Sequence, residues 1–213
     1  MSKPRLLDLF CCQGGAGMGY SRAGFEVVGV DIAPQPRYPF EFHQGDALEY
    51  LAAHGHEFDA IHASPPCQDY TSLKSLHGKE YVRLIGPTRD LLKQIGKPYV
   101  IENVEGAKSE MVDPLMLCGT MFGLNTLRHR MFETYPPIYF PPAPCHHYKK
   151  VSKLGPKPDP DKFMTVAGHF SGAAEGARAL GIDWMSKAGL AQSIPPAYTE
   201  FIGRHLLAAL EPA

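Results

Sequence analysis

Short apolar runs alternate with stretches of helical spacing along most of the chain. Arg5-Leu6-Leu7-Asp8-Leu9-Phe10, Glu26-Val27-Val28-Gly29-Val30-Asp31, Phe40-Glu41-Phe42-His43-Gln44, Asp59-Ala60-Ile61-His62-Ala63 and Tyr99-Val100-Ile101 read as strands. Residues 20–23, 47–53 and about 87–95 read as helices. In the last of these Leu91, Leu92 and Ile95 share a face, and Gly96-Lys97-Pro98 ends it. Leu115 to Gly123 is apolar and interrupted by glycine, with Cys118 read as structural. Phe163-Met164-Thr165-Val166-Ala167 reads as a strand returning to the domain, and Ala173 to Leu180 as a helix with Trp184 anchoring the turn after it. A final helix from Tyr198 to Leu210 places Phe201, Ile202, His205, Leu206 and Ala209 at helical intervals. There is no internal repeat.

Between Pro136 and Pro160 the pattern breaks. Eight prolines and Lys149, Lys150, Lys153 and Lys157 predict an irregular, extended excursion. Its lysines suit phosphate contacts, or are simply solvated. The 213 residues suffice for one well-filled domain or one domain with a small appendage. The net charge of −1 excludes a global basic field, so a nucleic-acid partner would be met by a local patch. No apolar run reaches the length of a membrane span, and Met1-Ser2-Lys3-Pro4-Arg5 is not followed by a signal-peptide core; a cytoplasmic location is the expectation. Five cysteines without a framework suit free thiols in a reducing compartment. Cys145-His146-His147 invites a zinc reading, but no second ligand pair follows at finger-like spacing, so no metal is expected.

Candidate chemistry gathers at strand ends. Ala63-Ser64-Pro65-Pro66-Cys67-Gln68-Asp69-Tyr70 runs a strand into two prolines, which end it and hold Cys67 on a stiff turn. Open α/β sheets place their chemistry there, although a cysteine read alone is more often a small buried hydrophobe than a nucleophile. Cys11-Cys12-Gln13-Gly14-Gly15-Ala16-Gly17-Met18-Gly19 follows the first strand and opens a helix, the layout of a nucleotide-type cofactor loop or of a plain tight turn. Asp31 ends the second strand, where an acid takes both ribose hydroxyls or caps a helix. Asp46 has the same two readings, adenine contact or cap of the run from Ala47. Thr71 to Gly78 suits a loop that closes over substrate. Glu102 also ends a core strand, where a carboxylate is costly without a partner or a function. Arg128 and Arg130, at i and i+2 of an extended segment, are expected on one side, or form a solvated pair.

The ordered set Asp8-Leu9-Phe10…Gly14-Gly15, Val30-Asp31, Gly45-Asp46, Pro65-Pro66-Cys67-Gln68, Glu102-Asn103-Val104, Arg128-His129-Arg130 and Gln192-Ser193-Ile194-Pro195-Pro196 resembles the DNA (cytosine-5) methyltransferases and spans nearly the whole chain. The resemblance implies an α/β class I methyltransferase (Rossmann-like) fold, with a mostly parallel seven-stranded sheet and helices on both faces. It implies S-adenosylmethionine as cofactor, held by Phe10, Gly14 and Gly15 at the methionine end, Asp31 at the ribose and Asp46 at the adenine, with Ser193 and Ile194 closing the pocket and Cys11, Cys12, Ile32, Ala47 and Pro65 also contributing to it. Cys67 would add to C6 of cytosine, Glu102 would serve N3, Arg128 would hold the base carbonyl, and Arg130 would be structural or a backbone contact. The implied partner is DNA with the cytosine flipped out, bound by a monomer.

Three positions depart from the family pattern: Cys12 stands for a glycine, Thr126 for a glutamine and Gln192 for an asparagine. The expected organisation is a catalytic domain over 1–134, a short insertion over 135–163 in place of a target-recognition domain, and a return over 164–213. So short an insertion points to a very short target site or to a protein partner that supplies specificity. The readings kept beside this one are the same chemistry on RNA or a free cytosine nucleotide, a non-catalytic cofactor- or DNA-binding protein, and a nicotinamide-dependent oxidoreductase. The last leaves Cys67, Glu102 and Arg128 unused.

Overall fold

The computed structural model describes residues 2–66, 83–152 and 159–211. Strands β1 (Arg5–Leu9), β2 (Glu26–Asp31), β3 (Glu41–Gln44), β4 (Ala60–Ala63), β5 (Tyr99–Asn103), β6 (Leu115–Leu117) and β7 (Arg130–Tyr135) form one sheet in the order β3-β2-β1-β4-β5-β7-β6. β1 to β5 are parallel, and β7 lies antiparallel between β5 and β6. The helices are α1 (Gly15–Ala23), α2 (Ala47–His54), α3 (Ile85–Ile95), α4 (Ala173–Leu180), α5 (Lys187–Gln192) and α6 (Pro196–Leu210).

Alternating residues of the central strands feed two cores. Leu6, Val27, Ala60 and Val100 pack with Tyr20 of α1 and Tyr198, Ile202 and Leu206 of α6. Leu7, Leu9, Val28, Val30, Ile61 and Ile101 pack with Leu51 of α2 and Ile85 and Leu92 of α3. Burial on both faces is why these strands read as unbroken apolar runs. α1 and α6 approach so closely that a Cβ on Gly19 would stand 2.1 Å from Thr199 Oγ1. α3 is tied to the antiparallel strand by a two-pronged ion pair: Arg89 Nε and Nη2 each donate to Glu133 at 2.7 Å.

Most predicted elements match within a residue or two, and Glu26–Asp31 and Ala173–Leu180 match at both ends. The first helix starts at Gly15 rather than Tyr20, because glycine spacing hides a face that packs by close approach. The expected strand over 163–167 is not formed. Phe163 makes one isolated bridge to Val151, and the chain then enters a third core, with Met164, Val166 and Phe170 buried against α4 and α5. Helix α5, capped by the Ser186 hydroxyl on Gly189 N, carries no apolar period in the sequence and was not anticipated. Among the described residues no helix is long and apolar enough to cross a membrane.

Strand order reverses between β1 and β4, and in such sheets ligands bind outside the carboxyl ends of the strands at that point. Asp31, Glu102, Asn103 and the turn after Ala63 all lie at those ends.

Candidate active site

A cavity of about 390 Å³ opens at this switch point. Its wall is built from the loop after β1, the ends of β2, β4 and β5, the start of β7, and the segment from Met185 to Ile194.

The loop after β1 is folded against steric preference. Phe10, Cys12 and Gly14 have φ of 57°, 45° and 81°, and a non-glycine residue there costs about 1–2 kcal/mol. Polar contacts hold it in place. Cys12 N donates to Asp31 Oδ2 at 2.9 Å, and Cys11 N to Val30 O at 3.1 Å. The carboxylate of Asp31 also accepts from Ala33 N through Oδ1 at 3.0 Å, so each oxygen keeps a lone pair toward the cavity that it lines. Gly15 is fixed by contact rather than by dihedral, since a Cβ would meet Ser193 Oγ at 2.2 Å and Ile194 O at 2.5 Å. The C-terminal motif therefore closes directly on the glycine loop.

Gln13, which the sequence did not single out, ties the same two regions together. Its Oε1 accepts from Ser186 N at 2.9 Å, its Nε2 donates to Ser186 Oγ at 3.0 Å, and its carbonyl accepts from Trp184 Nε1 at 2.8 Å. Trp184 is thus the anchor expected of it, with the glycine loop as its partner.

At the ends of β4 and β5, Asn103 Nδ2 donates to Pro65 O at 3.1 Å and fixes the double-proline turn. Cys67, the residue after Pro66, lies outside the described residues, as do Gln68, Asp69, Tyr70 and the expected loop from Thr71 to Gly78. Glu102 is buried, and burial raises its pKa against the opposing pull of Arg130 first, then the Ser64 hydroxyl and Arg128. Arg130 Nε lies 2.9 Å from Glu102 Oε1, yet among the described residues that oxygen receives no aligned hydrogen bond. The contact is one of charge, and it leaves the oxygen's acceptor direction open.

Behind Glu102 runs a buried relay. Burial drives the His62 pKa down to about 3, so the ring is neutral. Its Nε2 lies 2.8 Å from Ser64 Oγ and its Nδ1 2.8 Å from Tyr20 Oη. A neutral imidazole donates through one nitrogen and accepts through the other, so His62 joins the Tyr20 hydroxyl to that of Ser64, which in turn lowers the Glu102 pKa.

Asp8 is a second carboxyl missed as a site group. It lines the cavity, is fully buried, and accepts from Tyr38 Oη at 3.1 Å through Oδ2, while Oδ1 has no hydrogen-bond partner among the described residues. Burial pushes its pKa up to about 8. Two signals were available in the sequence: an acid within a buried strand, and a carboxyl immediately before the loop.

The two arginines sit in different surroundings. Arg128 lies outside the cavity wall. Its Nε donates to Ser193 O at 2.7 Å, Nη2 to Ala191 O at 2.9 Å and Nη1 to Val166 O. It is the staple between this loop and the C-terminal motif, while Arg130 faces the cavity beside Glu102. The i, i+2 argument fails because Arg128, at φ 36°, precedes the strand and does not share its pleat. Of the other residues singled out, Phe10, Cys11, Cys12, Ile32, Pro65 and Ile194 line the cavity, whereas Gly14, Asp46 and Ala47 do not. Asp46 is exposed and caps α2, taking Leu48 N at 2.8 Å and Glu49 N at 3.0 Å through Oδ1.

No protein-family model matches the chain. Over 122 residues it is 27% identical to the Type II methyltransferase M.FnuDI of Fusobacterium nucleatum, a match that covers 50% of this chain and 34% of that protein. The chain thus spans about a third of the length of this curated relative. In structure it is similar to S. pombe Dnmt2 methyltransferase, with a TM-score of 0.65, 13% identity and 99% and 100% of the two chains covered. It is also similar to an E. coli prophage protein assigned as a DNA modification methyltransferase, with a TM-score of 0.64, 17% identity and 97% and 99% covered. The strand order, the antiparallel seventh strand and these likenesses agree: the chain has the class I methyltransferase fold, as its motif series implied.

Proposed function

We propose that this chain transfers a methyl group from S-adenosylmethionine to C5 of cytosine in DNA. The observation that carries the reading is the single cavity that joins the glycine loop and Asp31 to Glu102, Arg130 and the Pro65-Pro66 turn leading into Cys67. The cavity volume falls in the range of about 300–1,000 Å³ usual for small-ligand sites. Its wall offers Asp31 for two ribose hydroxyls, the Asp8 oxygen without a hydrogen-bond partner among the described residues, and an acidic lining suited to a cation. These features fit S-adenosylmethionine, which supplies an electrophilic methyl group on a positively charged sulfur.

C5 of cytosine is a poor nucleophile. A thiolate adding to C6 makes C5 enamine-like and moves electron density to N3. Cys67 is assigned that addition. Among the other cysteines, burial holds the Cys11 and Cys12 thiols up, Cys12 at about 12, which keeps them protonated. Glu102 is assigned to N3. Its raised pKa lets it carry the proton that the adduct needs there, and the Ser64 hydroxyl orients it. Arg130 is the cation beside the developing charge. The base must leave a duplex to reach these groups.

A second reading, the same chemistry on RNA or a free cytosine nucleotide, is favoured by the segment between β7 and Phe163, which is too short to bury a core of its own. The deciding experiment incubates the protein with labelled S-adenosylmethionine and, in parallel, unmethylated duplex DNA, transfer RNA and dCMP. Label in DNA as 5-methylcytosine, lost in Cys67→Ala while cofactor still binds, is the expected result. Label in RNA or dCMP alone replaces the substrate. Turnover by Cys67→Ala overturns the covalent route.

A further inference from the structure

Outside the cavity, four side chains that chain order keeps apart come together. Cys118 follows β6, His129 precedes β7, and Cys145 and His147 belong to the proline-rich segment. One ligand atom from each lies within 4.8 Å of the other three. Cys118 Sγ is 3.6 Å from His147 Nε2, and Cys145 Sγ is 3.6 Å from His129 Nε2 and 3.0 Å from His147 Nε2. The two Nε2 atoms are 3.2 Å apart. A tetrahedral zinc ion, with bonds of about 2.3 Å to sulfur and 2.0–2.1 Å to nitrogen, sets N–N edges near 3.3 Å and N–S edges of about 3.5–3.6 Å. The cluster already has nearly those edges.

The surroundings also point to a metal. Glu105 Oε1 lies 3.3 Å from His129 Nδ1, the carboxylate–histidine arrangement that turns the other ring nitrogen toward an ion. Thr120 Oγ1 lies 3.2 Å from Cys118 Sγ and accepts from His146 N at 3.2 Å, so His146 joins the frame through its backbone while its neighbours supply ligands. All four cysteines among the described residues are free thiols.

We propose that Cys118, His129, Cys145 and His147 bind one structural Zn²⁺. Two thiolates and two imidazoles in a closed tetrahedron select zinc over magnesium or calcium, and four protein ligands leave no open position for catalysis. The spacing argument against zinc fails because the second pair is supplied from 27 and 16 residues upstream of Cys145, by Cys118 and His129. The ion would fasten the proline-rich segment to the sheet body. It would also pin His129, which stands between the stapling Arg128 and the cavity-facing Arg130.

The test is metal analysis of the full chain purified under reducing conditions without added metal. About one zinc per chain is expected. After removal with a chelator, cobalt should restore a tetrahedral spectrum with thiolate charge-transfer bands, and Lys149 and Lys150 should be cut by trypsin at least several-fold faster in the stripped protein. Cys145→Ser and His147→Ala should each lose the metal, and His146→Ala should keep it. Because a ligand variant may misfold, the cobalt spectrum of the wild-type chain decides. Failure of the reduced, stripped protein to take up cobalt, or a spectrum without thiolate bands, overturns the proposal. None of these readouts depends on methyl transfer.

Discussion

In the sheet body Leu6, Leu7, Leu9, Val28, Val30, Ile61 and Ile101 are wholly buried, while in the chain that leaves β7 Tyr139, Phe140 and Tyr148 are 72%, 80% and 71% exposed. The body is held by two continuous apolar cores, and its strand ends position a cavity. Among its described residues, the segment from Pro136 to Lys162 places only the partly buried Ile138 against a core. It is held by point contacts: the Cys–His cluster, a Val151–Phe163 bridge and a Lys149 Nζ bond to Pro160 O at 3.3 Å. A region without a core tolerates change and presents side chains outward, which suits recognition. A region with one holds groups to within tenths of an ångström, which suits chemistry.

The sharpest break in that division should come at Glu102. Glu102→Gln keeps the shape and takes away the proton that the proposed mechanism assigns to it, so turnover should fall about 10²–10⁴-fold. Stability should change by less than about 2 kcal/mol, because a buried carboxyl with a raised pKa contributes little to folding. Labelled-methyl kinetics beside urea unfolding checks both. A loss of stability that matches the loss of rate would make Glu102 structural.

Asp8 gives the next largest effect, and it tests the body alone. Its pKa rises from 3.8 in the unfolded chain to about 8 in the fold. The native state therefore holds a proton that the unfolded state has lost, and this contribution is complete below about pH 4 and disappears as pH rises through 8. Between pH 5 and 9 the wild type should lose roughly 2–4 kcal/mol more than Asp8→Asn does. Parallel slopes of unfolding free energy against pH in the two proteins would show that Asp8 does not titrate in the fold.

What could be read from sequence follows the same boundary. Val27, Val28 and Val30 declared a buried strand because both faces are covered, and Asp31 declared its end because a charge cannot continue it. Glu102 could be placed near the end of its strand for the same reason. Arg128 and Arg130 did not separate by spacing, since one residue at φ 36° breaks the strand's alternation and only the backbone shows it. The Tyr20–His62–Ser64 relay was invisible because its members are 42 and 2 residues apart and read as ordinary core and turn. Cys118 and His129 gave no metal signal because their partnership depends on where the coreless segment folds back. Local pattern carries information about burial, and it loses that information where chain is positioned by a few long-range polar contacts.

The smallest effect should come from the segment itself, and it decides whether exposure there serves recognition. Tyr139, Phe140 and Tyr148 offer rings to solvent in the same segment as Lys149 and Lys150, and Lys149 Nζ stands 5.8 Å from the centre of the Tyr148 ring. Aromatic faces next to lysines are a surface that takes bases and phosphates. Replacing Tyr139 and Phe140 together by Ser should weaken DNA binding about 10-fold with the salt dependence unchanged. Replacing Lys149 and Lys150 by Ala should lower the slope of log affinity against log salt by about 2. Neither change touches a buried contact of the body, so the melting temperature and methyl transfer at saturating DNA should stay as they are. Binding isotherms at three salt concentrations distinguish the two variants. If both bind as the wild type does, the exposed segment is not the DNA-contacting surface, and substrate recognition must lie on the body or on another chain.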